Sequence, residues 1–185
     1  MGSDIHVIVV SEVDNAVALL DHAVERVADL EAKWSRFRPD SEVCRLNASG
    51  GAPVTVSSDT VVLLEHARSA WSLSGGMFDP TLLDALRAAG YDRSFDDIDP
   101  DAAAQPTPTL RFDRPDVSDI DIESTSAGAT VTFPATLGFD PGGIGKGLAA
   151  DLLLVELQQL GAAGVCVNMG GDLRVAGPDP KGATW

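Results

Sequence analysis

Cysteine is scarce in this sequence: Cys44 and Cys166 are the two among 185 residues. Two cysteines do not make a disulfide framework, and there is no Cys-x-x-Cys and no metal-spaced Cys/His set. Cys166 lies in an apolar, strand-like run and is read as a buried small hydrophobe. The three histidines, His6, His22 and His66, fall in separate elements and suggest no ligand cluster. Basic residues are also few. Thirteen Lys and Arg stand against 28 Asp and Glu, for a formal net charge of −15. So acidic a surface repels nucleic-acid phosphates and anionic lipid, so neither is expected as a partner. Much of the acidity is local, in 92–104 and 111–124, where runs of this kind read as solvated loops. No apolar stretch is long enough to span a membrane. The opening Met1-Gly2-Ser3-Asp4 lacks the basic-then-apolar order of a signal peptide. The chain is read as cytoplasmic by default, and as extracytoplasmic if a leader was removed.

What is present suffices for a core: 44% of residues are hydrophobic, and the length favours a single domain. Residues 4–10 are β-branched and strand-like. Ser11 and Asp14 resemble a helix cap. From Val13 on, Val13, Val17, Leu20, Val24, Val27 and Trp34 recur at helical spacing as one apolar face, and the helix should stop before Pro39. Residues 35–47 read as a loop with a short helical turn, and 52–58 as a short strand. A second helix is expected over 58–73, with Val61, Leu64, Arg68 and Trp71 on its stripes and a glycine C-cap in Ser74-Gly75-Gly76. A turn and third helix follow in 77–90, with Pro80 in the first turn. An acidic, proline-containing loop covers 92–108. "TLRFD", "VSDIDIE" and "GATVTFP" then suggest an antiparallel strand meander. "TLGFD" reads as an edge strand, 147–160 as a helix, "GVCVNM" as a buried strand and "GGDLRVAG" as a turn and strand. A last strand is expected to start at Thr184-Trp185, and the region is expected to be truncated at its C-terminus. This order predicts an α+β (mixed α/β) fold, a mixed or antiparallel sheet flanked by helices. It is one incomplete region over 1–185, with a helix-rich part (1–91), an acidic loop and meander (92–134) and a glycine-rich turn, helix and strand (135–185). Strand edges exposed by truncation would favour pairing with another copy.

Three glycine stretches invite a functional reading. "DPGGIGKGLAAD" (140–151) fails the Walker A pattern. The first glycine position holds Asp140, and residue 147 is Gly where a hydroxyl is required. Nor is it the GxGxxG dinucleotide fingerprint. What remains is a lysine among glycines at a helix start, suited either to a pyrophosphate or to a tight structural turn. "SGGMFDPT" (74–81) fits a helix C-cap followed by an Asp-Pro turn. "NMGGDL" (168–173) sits at a strand end, where either a ligand loop or a hairpin turn is possible.

Taken in order, "SRFRPDSEVCRLN", "GGMFDPTL", "DPGGIGKGLAAD" and "VNMGGDLRVAG" resemble the ApbE family of FAD:protein FMN transferases. Met1-Gly2-Ser3 is similar to the family's Met-Gly-Thr start, and the likeness covers essentially the whole chain. The resemblance implies FAD as substrate, Mg2+ as metal, and transfer of FMN to a Thr or Ser hydroxyl of a target protein with release of AMP. It implies that Met1 approaches the adenine side, that Phe37 packs on the flavin ring and that Asn47 helps shape the site. Gly76, Phe78, Asp79 and Thr81 would form the flavin-binding turn. Lys146 would lie near the pyrophosphate, the Gly145 carbonyl would ligate the metal, and Gly170, Gly171 and Asp172 would form a third binding turn. Pro141 stands where relatives usually have leucine. The family's late His and Asp…Thr motifs are not in these 185 residues, so this stretch alone is expected to bind FAD weakly and to show little or no transfer. Three alternatives stay open. One is an FAD pyrophosphate hydrolase. Another is a noncatalytic FAD-binding domain. The third is a flavin acceptor, with Thr130 of "SAGATV" or Thr184 of "KGATW" as the modified hydroxyl.

Overall fold

The computed structural model describes residues 4–93, 114–125 and 128–185. Met1, the expected strand at 109–113 and most of the acidic loop lie outside the described residues. The fold is mixed α+β, with two small antiparallel sheets and helices. It divides into two compact units, one from residues 4–31 and 144–185 and the other from 32–143.

The first unit is built on β1 (Ile5–Val10), β5 (Gly164–Met169) and β6 (Asp172–Ala176), all antiparallel, with β5 in the centre. Ile5 pairs with Met169 and Met169 with Asp172, which sets a register running the length of the sheet. Alternation then divides the two faces. Val165, Val167 and Met169 are buried, as are Leu153, Leu154 and Leu157 of α5 (Gly145–Gln159), the helix in contact with β5 and β6. On the other face Ile8, Cys166 and Val175 share one cross-strand row. Ile8 and Val175 are exposed and Cys166 is only half-buried, which corrects its reading as a core residue. Strand period identifies the apolar residues but not which face is covered.

The same correction applies to α1 (Ala16–Trp34). Leu19, Ala23, Leu30 and Trp34 are its buried positions, whereas Val13, Val17, Leu20 and Val24 are exposed, Val17 at 73%. The helix carries two apolar stripes, and the expected one is covered only toward its C-terminal end, where Val27 is half-buried and Trp34 buried. Arg26 fixes the choice: its Nε donates to Glu156 of α5 at 2.9 Å, and His22 lies 3.2 Å from the same carboxylate. The expected cap is displaced as well. The helix starts at Ala16, and the Ser11 hydroxyl instead bridges the backbone of Val13 and the Asn15 side chain.

The second unit holds α2 (Glu42–Asn47), β2 (Val54–Val56), α3 (Ser58–Leu73), α4 (Leu83–Ala88), β3 (Asp121–Thr125) and β4 (Gly128–Thr132), with the last three residues of α1. Its sheet has the order β2-β4-β3. Leu63, Leu64 and Ala67 of α3 are buried, as are Val131, Phe133 and Phe139, the last two with ring centroids 6.0 Å apart. Arg68 donates to the Ile120 carbonyl at 2.6 Å. The α3 N-terminus is capped from a distance. Ser57 at its N-cap makes no side-chain cap bond, and the Glu42 carboxylate accepts instead from Ser57 N (3.0 Å), Ser57 Oγ (2.8 Å) and Thr60 Oγ1. "TLGFD" forms a single bridge, Leu82 to Gly138, rather than a strand. The strand foreseen at Thr184-Trp185 is likewise one bridge, between Thr184 and Pro178. No helix among the described residues is long and apolar enough to cross a membrane.

Candidate functional site

In the second unit three separate motifs meet on the backbone of 138–143. Asn47, the last residue of α2, grips Phe139 at two points. Its Nδ2 donates to the carbonyl at 2.9 Å and its Oδ1 accepts from the N–H at 2.8 Å. One residue on, Asp140 N donates to the Pro80 carbonyl at 2.8 Å. The Asp140 carboxylate, itself buried, accepts from Gly142 N at 2.8 Å, which shapes the glycine turn, and meets Arg36 Nε at 3.2 Å. The Phe78 ring lies so close to Gly143 that an added Cβ would meet its Cε2 at 2.8 Å. A glycine there allows ring and backbone to touch.

Arg36 completes the group. Its side chain is 5% exposed, and its guanidinium carbon sits 4.2 Å from the ring centroids of both Phe37 and Tyr91. Those rings meet edge to face at 6.2 Å, and Phe37 remains 42% exposed. The neighbouring Asp92 carboxyl is held below its usual range, first by the hydrogen bond from Arg93, with the charges of Arg93 and Arg36 adding in the same direction. Asp79 and Thr81, expected in a flavin-binding turn, are engaged with each other and with Arg114. Thr81 N and Oγ1 donate to Asp79 Oδ1 at 2.8 and 2.6 Å, and Arg114 pairs with Asp79 while donating to the Thr81 hydroxyl at 2.6 Å. In this structure they brace the turn before α4. Gly76 has φ +80° and donates to the Trp71 carbonyl at 2.9 Å, closing α3 as a C-cap.

The first unit holds the other candidates. Gly145 and Lys146 open α5, whose N-cap Ile144 supplies no side-chain cap bond. The first-turn N–H groups therefore lack an internal acceptor from that residue. Lys146 is half-buried, and no hydrogen bond or ion pair engages it among the described residues. Gly170 and Gly171, with φ +62° and +101°, are the two-residue turn joining β5 to β6. The turn is pinned by Gly171 N donating to Asn168 Oδ1 at 2.9 Å. Asp172 is the first, exposed residue of β6. Because β5 runs back along α5, this hairpin belongs to the end of the layer where α5 begins. The Arg174–Asp151 pair ties β6 to α5.

Gly145 is the only residue assigned to a metal, through its carbonyl. Among the described residues no three His, Cys, Asp or Glu side chains gather as a metal cluster. Magnesium wants near-octahedral oxygen coordination, which the Gly145 carbonyl alone does not supply. Arg36, Glu42 and Arg114 were not singled out from sequence. For Arg36 a signal existed, a cation directly beside an aromatic in "SRFRP". For the other two the partners lie 15 to 35 residues away along the chain.

Comparison with known proteins gives these observations a family. A family model described as the ApbE family matches residues 1–185. The chain is 30% identical over 170 residues to an FAD:protein FMN transferase of Treponema pallidum, covering 86% of this chain and 44% of the relative. It is 26% identical over 163 residues to one of Haemophilus influenzae, covering 85% and 46%. The fold is similar to that of the Pseudomonas stutzeri flavinyl transferase ApbE in its apo form. The TM-score is 0.80 at 24% identity, over 100% of this chain and 58% of the other. The chain thus spans about half the length of the curated relatives it matches.

Proposed function

The chain belongs to the ApbE family, and from that premise we propose that it is the flavin-handling portion of an FAD:protein FMN transferase. The observation that carries this reading is the convergence of Asn47, Phe78, Pro80 and Arg36 on 138–143, which brings motifs far apart in sequence onto one glycine turn.

In this reading the exposed Phe37 ring takes the isoalloxazine by stacking. Within the first unit, Lys146 and the first-turn N–H groups of α5 offer a cation and a helix dipole, both of which favour a phosphate group. The reaction is a phosphoryl-group transfer. A Thr or Ser hydroxyl oxygen of the target attacks the FMN phosphorus, a phosphoester bond forms and the anhydride P–O bond breaks. AMP leaves with the bridging oxygen, and the hydroxyl proton passes to solvent or a base. Lys146 would neutralise charge that grows on the anhydride as it opens. Magnesium, if used, would add charge neutralisation at the same anhydride, with the Gly145 carbonyl as one of several oxygen ligands.

The test is a calorimetric titration of FAD, with and without magnesium, on this chain and on the protein at the length of its relatives. It is paired with mass spectrometry of an acceptor protein and assay of AMP. Tight binding and an FMN-sized mass gain on a Thr or Ser support transfer. AMP without a modified acceptor supports the hydrolase instead, and a covalent flavin on this chain itself supports the acceptor reading. No FAD binding at either length removes the proposal.

A further inference from the structure

Arg36 is costly where it sits. It is nearly fully buried, it faces a buried carboxylate, and its Nη2 is buried without a hydrogen-bond partner. On stability alone, a well-packed apolar pair in place of Arg36 and Asp140 would do as well or better. What the guanidinium does, and an apolar chain would not, is join three things at once. Its central carbon sits over the Phe37 ring and over the Tyr91 ring, 4.2 Å from each centroid. Nη1 donates to the Tyr91 carbonyl at 3.0 Å, and Nε reaches Asp140, whose other oxygen shapes the glycine turn. Arginine suits this because it stacks through its face and donates through its rim.

We propose that Arg36 is a positioning residue: its guanidinium clamps the Phe37 ring and the Asp140–Gly143 turn into one fixed geometry, so that the flavin meets a pre-ordered aromatic surface. The inference rests on the flavin reading above for its function, while the clamp itself can be judged without FAD. Pre-ordering matters because a ring that must be immobilised on binding subtracts its lost freedom from the affinity. Asp140 serves the clamp through its contact with Arg36 Nε, and Tyr91 adds both its ring and its carbonyl.

The single tyrosine of the chain makes the test clean. Protein labelled with 3-fluorotyrosine gives one fluorine resonance, at Tyr91. The full chain is compared as wild type, Arg36→Lys, Arg36→Met and the double variant Arg36→Met/Asp140→Asn. The double variant leaves no unpaired buried charge and so guards against simple misfolding. FAD affinity and quenching of flavin fluorescence are read alongside, at matched thermal stability. The clamp predicts a shifted or broadened resonance in all three variants. It also predicts FAD binding weakened about tenfold in each, about what is lost when a stacking contact is no longer pre-organised. Recovery of wild-type affinity in the double variant would mean that Arg36 only balances the Asp140 charge, and would overturn the proposal. So would an unmoved resonance in Arg36→Met. If wild type binds no FAD, the flavin reading fails, and the resonance alone decides whether Arg36 orders the rings.

Discussion

A residue named as a site candidate can be a ligand contact or a brace, and the hydrogen bonds separate the two. Asn47 spends its whole amide on Phe139, one bond to each backbone polar group. Removing it leaves a buried N–H and C=O unpaired. Asn47→Ala is therefore expected to cost about 2–4 kcal/mol of folding stability by urea unfolding. FAD affinity measured on the folded fraction should then fall by less than about threefold, well under the loss of one charge-assisted bond. Lys146 is the opposite case, a cation with no partner among the described residues. Lys146→Met should leave the unfolding free energy within about 0.5 kcal/mol of wild type. Calorimetry should nevertheless show FAD binding about tenfold weaker. If Lys146→Met unfolds the protein and spares FAD, the two roles are exchanged. Asp79 and Thr81 resemble Asn47 here, since Arg114 and their mutual bonds absorb them.

At the scale of elements, helix faces and helix ends carry the predictions. The buried stripe of α1 runs through Leu19, Ala23 and Leu30, and the exposed one through Val17, Leu20 and Val24. Leu30→Ala should cost about 2–5 kcal/mol by thermal or urea unfolding, the usual range for emptying a core leucine site. The pair Val17→Ser/Val24→Ser should change stability by less than about 1 kcal/mol, since neither side chain is covered. Equal losses from both changes would mean that the covered face has been misassigned. The α3 terminus gives a second test. Its cap is Glu42, 15 residues upstream, which accepts from Ser57 and Thr60 and lies beside the positive end of the helix. Glu42→Ala should cost about 1–2 kcal/mol, the cost of a lost cap, although Glu42 belongs to a different helix. Hydrogen exchange should show the loss concentrated in the first turn of α3.

For the whole molecule the dominant quantity is charge. A net charge of −15 repels the dianionic pyrophosphate of FAD at long range, whatever Lys146 does at short range. Raising ionic strength from about 10 to 150 mM shortens the screening length from about 30 to 8 Å. Stopped-flow fluorescence should therefore show FAD association becoming faster with salt. A slower rate would mean that the local field at α5 governs approach. The same scale shows what was legible in the sequence. Most element types were, because strand alternation, helical spacing and positive-φ glycines are short-range properties: β5 falls on "GVCVNM" and α3 closes just before Gly75-Gly76, although "TLGFD" and Thr184-Trp185 make bridges and not strands. The ordered glycine motifs and the family were legible too, since each motif is contiguous. Three matters were decided only by tertiary structure: the covered stripe of α1, the outward row holding Cys166, and the remote contacts that make Arg36 a stack, Glu42 a cap and Asp79 a brace. A period in the sequence states that a face is apolar, and a lone charged residue states only that it needs a partner. Which neighbour covers the face, and which group answers the charge, is set by chain segments tens of residues away, and no local pattern records their arrival.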